Sequence, residues 1–156
     1  MLIGISGCGI YSFKDVSIDY NTIKTIKIGF FENKARYINP QLSPRLTDKL
    51  QQKIVAQTKL IRTNNDDAHL QISGYISDYS VSTAAISATQ AATNRLNVTV
   101  HIVIRKSLED KTEEYDVTRN FDFSANLSLQ DAEAQLLEEV IRNLSDEIFN
   151  RIFSNW

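Results

Sequence analysis

Apolar and polar residues alternate along much of this chain, and the period of the alternation changes from place to place. In "IKTIKIGFF", residues 23 to 31, Ile26, Ile28 and Phe30 stand against Thr25, Lys27 and Gly29. That is the two-residue period of a strand with one buried face. "NKARYINPQ" breaks the pattern, and Ser43-Pro44 then supplies a capping serine with proline at the first helical position. Leu46, Leu50 and Ile54 follow at four-residue steps and predict a helix with one apolar stripe, ending near Thr58. "KLIRT" leads into the turn-prone run Asn64 to Asp67.

Alternation returns in "HLQISGYI", with Leu70, Ile72 and Ile76 on one side and Gly74 marking a bulge or a close backbone approach. It is clearest in "RLNVTVHIVIR", where Leu96, Val98, Val100, Ile102 and Ile104 alternate with Asn97, Thr99 and His101. After the turn-like "SLEDK", the run "EYDVTRNFDF" puts Tyr115, Val117, Phe121 and Phe123 opposite Asp116, Thr118, Asn120 and Asp122. These two segments predict a hairpin. Ser128 followed by Asp131 opens a last helix whose Leu137, Val140, Ile141, Leu144, Ile148 and Ile152 form a wide apolar stripe.

Four extended segments and two helices predict an α+β fold, with both helices on one face of a mostly antiparallel sheet of about four strands. The opposite face, with Gln71, Ser73, Tyr75, Asn97, Thr99 and His101, is polar enough to be wetted. Residues 77 to 93, "SDYSVSTAAISATQAAT", are small and hydroxyl-rich. Two readings stand for them: a long contact loop, or two strands that run on into a long hairpin.

At 156 residues and 42% hydrophobic content the chain is long enough for one core and too short for two. The single domain is placed at residues 23 to 156. A net charge of −2 gives no overall basic field, which argues against nucleic acid as a partner. One cysteine and two histidines supply neither a disulfide nor a metal site, and no nucleophile elbow, HExxH or Walker loop is present. His69 and His101 fall on polar strand faces, where a hydrogen-bonded imidazole is the plain reading, so no catalytic residue is assigned and no enzyme is expected. Arg95, Arg105, Lys106 and Lys111 gather at the two ends of the strongest strand, and Arg119 lies on its neighbour. They read either as a solvated rim or as contacts for phosphate-bearing ligands.

Three readings compete for Cys8: a nucleophile, a small buried apolar residue, or the acceptor of a lipid anchor. On the third, residues 1 to 7 are the tail of a secretion signal and residues 8 to 22 a lipidated lead-in. Ile5-Ser6-Gly7-Cys8 resembles the bacterial lipobox, in which cleavage before cysteine precedes acylation. Neither Lys nor Arg precedes Cys8, so on this reading the chain starts inside its signal or has a misassigned start. Several acyl chains anchor stably where one is marginal, each buried methylene contributing about 0.8 kcal/mol.

Taken together, "CGIYSF", "NPQLSPRLTDKLQQKI", "GYISDYSVS", "NRLNVTVHIVI", "FDFSA" and "EEVIRNLSDEIFNRIFSNW" resemble the LptE family of lipopolysaccharide-assembly lipoproteins. The resemblance implies a sandwich of two helices over a four-stranded sheet. It implies a lipoprotein on the periplasmic side of the Gram-negative outer membrane, held by acyl chains on Cys8 with no other cofactor. It further implies a plug within the β-barrel LptD, the pair delivering lipopolysaccharide to the outer leaflet. Arg95, Arg105 and Lys106 are expected, on charge placement, to meet lipopolysaccharide or the barrel. The alternative is a lipoprotein cofactor or pilot of another envelope complex, such as a cell-wall synthase activator or a secretion pilot.

Overall fold

The computed structural model describes residues 18–85 and 92–154. Six strands and two α-helices follow in the order β1 (Thr25–Ile28), β2 (Glu32–Asn33), α1 (Leu42–Gln57), β3 (Ile61–Arg62), β4 (Leu70–Ala85), β5 (Thr93–Lys106), β6 (Lys111–Ser124) and α2 (Leu129–Phe153). They form one mixed sheet of order β3-β1-β4-β5-β6, with β2 pairing β4 beyond the end of β1. β1 pairs parallel to β3 and β4, and β2 parallel to β4, whereas β4, β5 and β6 form an antiparallel meander.

The α+β class is as expected, but the sheet has six strands rather than four and is mixed rather than mostly antiparallel. The reason is local. β2 and β3 are two residues long, too short to show a period. The chain also returns through α1 before entering β3 and β4, and a crossover helix of this kind makes neighbouring strands parallel.

Alternation fails at Gly29. Ile26 and Ile28 are buried, but β1 stops there, and the next buried residue is Phe31 (0% exposed), leaving Phe30 57% exposed. Phe31 donates its N–H to the Thr47 hydroxyl on α1 at 3.1 Å, which fixes the strand-to-helix approach at that point. Ser43 is not a cap: α1 begins at Leu42 after Gln41, which makes no side-chain cap bond, and Ser43 is buried inside the first turn. Pro44 is tolerated because first-turn N–H groups have no intrahelical partner. The other expected cap is present, Ser128 Oγ accepting from the Asp131 N–H at 3.1 Å.

Of the two readings for residues 77 to 93, the long hairpin holds for the described part. β4 runs to Ala85 and β5 starts at Thr93, paired throughout apart from irregularities between Ile76 and Asp78 and between Thr83 and Ala85. Gly74 is a close approach, not a bulge. A Cβ there would lie 2.2 Å from the His101 carbonyl oxygen and 2.7 Å from Phe31 Cε1.

The core lies between one sheet face and both helices. α1 contributes Leu42, Leu46, Leu50 and Ile54; α2 contributes Val140, Ile141, Leu144, Ile148 and Ile152. Ile18 already belongs to this core, ahead of β1. Near the start of α1 and α2, Tyr37 stacks on Tyr79 at 5.5 Å, and Asn39 donates to Glu133 at 2.5 Å. Burial there pushes the Tyr79 phenol up to about 12.

Candidate functional site

The sheet face away from the helices is polar along β5 and β6, and strand parity builds it. Odd residues of β5 (Arg95 to Arg105) and even residues of β6 (Thr112 to Asp122) project from it, because Leu96 to Lys106 and the Val117–Phe121–Phe123 series are committed to the core side. Across β4, β5 and β6 one row runs Tyr75, His101, Asp116 in direct register.

His101 Nδ1 meets Asp116 Oδ1 at 2.8 Å, and Nε2 lies 3.5 Å from Glu114 Oε1. The hydrogen bond to Asp116 lifts the imidazole above its ordinary value; partial burial opposes this and Glu114 adds to it. The ring packs on Tyr75 at 5.1 Å, and Lys34 Nζ stands 4.5 Å from the other aromatic centroid. His69 has a structural task, accepting the Lys24 N–H on Nδ1 at 3.0 Å. Among the described residues neither imidazole is hydrogen-bonded to a serine, threonine, cysteine or lysine side chain. Among the described residues no group of three or more His, Cys, Asp or Glu is arranged to hold a metal ion.

The three basic residues singled out from sequence are not brought together. Arg95 and Arg105 share the open face but stand at opposite ends of β5, about 33 Å apart along an extended strand. Lys106 has the other parity and lies on the helix side, 9% exposed, with Nζ 3.5 Å from Glu113 Oε2. Each has an acidic neighbour. Arg95 donates from Nε to Asp122 Oδ1 at 2.7 Å and from Nη2 to Oδ2 at 3.1 Å, a two-pronged pair that holds the Asp122 carboxyl below the usual range. Arg105 Nη2 lies 3.5 Å from Asp110 Oδ1. Glu113, bonded by Lys111 and attracted by Lys106, is likewise lowered. Arg119 points to the helix side and bonds Glu147 at 2.6 Å.

Sequence reading missed Lys27, which lies beside Arg105 on the open face. Lys27, Gly29, Gln71, Ser73, Arg105 and Thr112 line a shallow depression of about 280 Å³. Lys27 Nζ is 2.5 Å from Asp66 Oδ1 and holds that carboxyl low. The only advance signal for Lys27 was its place on the polar side of the first strand; its nearness to Arg105 depends on β1 pairing with β4, which no local pattern shows. Cys8, the predicted signal tail and most of the predicted lead-in fall outside the described residues. Among the described residues no helix is long and apolar enough to cross a membrane.

Several solved structures share this arrangement. A minor lipoprotein from Acinetobacter baumannii superposes with a TM-score of 0.56 at 18% identity, covering 85% of this chain and 94% of its own. A hypothetical protein from Chlamydia trachomatis gives 0.52 at 9% identity over 85% and 99%. A putative neuraminyllactose-binding hemagglutinin homolog from Helicobacter pylori gives 0.52 at 8% over 82% and 84%. At these identities the likeness is one of fold. No curated protein matches the sequence significantly. The family model described as "LptE: Lipopolysaccharide-assembly" matches residues 23–152, from the residues leading into β1 to the last turn of α2. The chain therefore belongs to the LptE family of lipopolysaccharide-assembly proteins.

Proposed function

We propose that this protein is a non-catalytic lipoprotein subunit of the lipopolysaccharide transport machinery at the outer membrane, acting as plug and assembly partner of the LptD β-barrel. The observation that carries the reading is the family match over residues 23–152. On it, acyl chains on Cys8 fix the domain to the periplasmic side of the membrane, and the folded part itself does no chemistry. Arg95 and Arg105, with Lys27 beside the latter, are the sheet cations that an anionic headgroup or a barrel wall would meet. Lys106 belongs to the same expectation but faces the helix side, so its role is to hold Glu113 beside the β5–β6 turn.

The geometry supports a plug. The described chain starts at Ile18 and Tyr20, where Lys59 lies over the Tyr20 ring, at the end of the sheet where β1, β3 and β4 begin. β4 leads away from that end for 16 residues, about 50 Å of extended chain. Ile18 and the far end of the described β4–β5 pair thus lie toward opposite ends of the sheet, the separation that a plug tethered at one end would use.

The test is crosslinking in native membranes followed by mass spectrometry of the captured partner and of the mature N-terminus. The expected result is an outer-membrane barrel protein crosslinked to the chain and an acylated Cys8. Capture of a different envelope complex with no barrel, or normal lipopolysaccharide export in cells lacking the protein, would overturn the proposal.

A further inference from the structure

Helices α1 and α2 run in the same direction and are joined by a regular ladder. Arg45 on α1 pairs with Glu138 on α2, and two turns further on Lys53 Nζ meets Asp146 Oδ1 at 2.6 Å. Both pairs join residues 93 positions apart in sequence. Midway between them, at the same separation, stand Lys49 and Arg142. Each rung lies one helical turn, about 6 Å, from the next on each helix. The first and third rungs are therefore opposite in charge, and the middle one is two cations.

Lys49 and Arg142 are both exposed, and neither has an ion-pair partner among the described residues. With Arg45, Asp48, Gln52 and Glu138 they line a groove of about 400 Å³. Within it Arg45 and Glu138 neutralise each other. Asp48 and Gln52 border this groove and also the depression on the far flank of α1, and Asp48 forms no ion pair with either cation. A groove walled by ion pairs and centred on two like charges attracts an anion that can touch both. An arginine fork and a lysine point charge together suit a tetrahedral oxyanion with several acceptor oxygens.

We propose that the middle rung of the α1–α2 ladder binds a phosphate-type oxyanion, bridged between Lys49 Nζ and the Arg142 guanidinium and supplied either as free phosphate or as the phosphomonoester headgroup of a lipid. The site lies on the helix layer, away from the open sheet face, and does not depend on the barrel-partner reading.

The test uses the full chain, wild type against Lys49→Glu and Arg142→Glu. Thermal unfolding is compared in inorganic phosphate and in chloride at matched ionic strength and pH. Phosphate is expected to raise the wild-type Tm and to leave both variants unmoved. Lys49→Glu converts the middle rung into a third ion pair, so its Tm in chloride is expected to rise; loss of its phosphate response then reflects the lost site and not poor folding. Co-sedimentation with phosphatidylcholine vesicles, with and without phosphatidic acid, separates the sources. Retention only with phosphatidic acid, lost in the variants, identifies a lipid headgroup; a Tm shift with phosphate but no retention identifies the free anion. An equal phosphate response in all three proteins, or no wild-type response to phosphate or vesicles, overturns the site. A wild-type Tm raised by polyglutamate and not by phosphate also overturns it, in favour of an acidic polypeptide.

Discussion

Replacing Gly74 with alanine tests the packing of the sheet at its centre. Glycine in a strand interior costs stability, so its presence there needs a physical reason. The reason is visible in the pair Gly74↔Ile102, where an added Cβ would lie 2.2 Å from the neighbouring His101 carbonyl oxygen, against a normal contact of roughly 3.2 Å or more. The obstructing atom is backbone of β5, which is bonded on both sides by β4 and β6 and cannot swing away as a side-chain tip can. Relief requires β4 and β5 to part by about 1 Å locally, and Phe31, fully buried and 2.7 Å from the same Cβ position, must move as well. Overpacking of a tight interior costs typically 1–3 kcal/mol, and a clash with backbone belongs at the upper end, about 3 kcal/mol. In a chain of this size that lowers Tm by about 6–12 °C. Urea unfolding is the assay, with the midpoint shifting and the slope unchanged. The double variant Phe31→Leu, Gly74→Ala separates the two obstacles: it should recover little, because the carbonyl remains. A loss below about 0.5 kcal/mol in Gly74→Ala, the size of an ordinary surface change, would refute the close-approach account.

Three further outcomes follow from the same contacts. His101 has its proton affinity raised in the folded state, so its contribution is complete below the ordinary imidazole value near 6.5 and disappears as pH rises through the higher folded value. Denaturant titrations at pH 6 and pH 8 should show part of the wild-type loss removed in His101→Gln, and identical pH profiles would defeat that reasoning. Ser128→Ala removes the cap of α2 and should cost about 1 kcal/mol by chemical unfolding, whereas Ser43→Ala, at a position that makes no cap bond, should not show a capping loss. Arg119→Val takes an inward-facing charge off the 14-residue edge strand β6 and should increase self-association in sedimentation velocity with little change in monomer stability; an unchanged sedimentation profile would mean that the edge is protected by something else.

How much of this was legible depended on whether a property is local. The stripes Leu46–Leu50–Ile54 and Val140–Leu144–Ile148 and the alternation from Leu96 to Ile104 each declare themselves within a few residues, and each is buried as expected. β2 and β3 have no such span, and their parallel pairing exists only once α1 has carried the chain across the sheet. Phe30 and Phe31 illustrate the same limit, since alternation continues to Phe30 on paper while the strand ends at Ile28. At the candidate site, the partners of Arg95 and His101 follow from counting outward from the Ser107–Asp110 turn, which the sequence had flagged. Lys106 shares the parity of Ile102 and Ile104, so its helix-side position was readable too, but grouping basic residues by nearness to a strand end discarded that parity.

The distribution of charge bears directly on how an anionic ligand could use this fold. On the sheet, Lys27, Arg95 and Arg105 are answered by Asp66, Asp122 and Asp110, with Lys106 and Arg119 similarly answered on the helix side. An anion reaching the open face must therefore displace a carboxylate before it gains an arginine. Exposed ion pairs hold little free energy because water screens them, so a ligand bearing several phosphates can make that exchange while a single phosphate gains almost nothing. Lys49 and Arg142 present the opposite case, two cations that no ion pair among the described residues engages, in a groove whose Glu138 is already held by Arg45. The two surfaces should then differ in valency dependence: inorganic phosphate should perturb the α1–α2 groove at concentrations that leave Arg95 and Arg105 untouched, and only a polyphosphorylated ligand should engage the sheet. Amide chemical-shift mapping with each anion distinguishes them, and perturbation of the Arg95–Asp122 pair by inorganic phosphate alone, with the groove silent, would reverse the assignment.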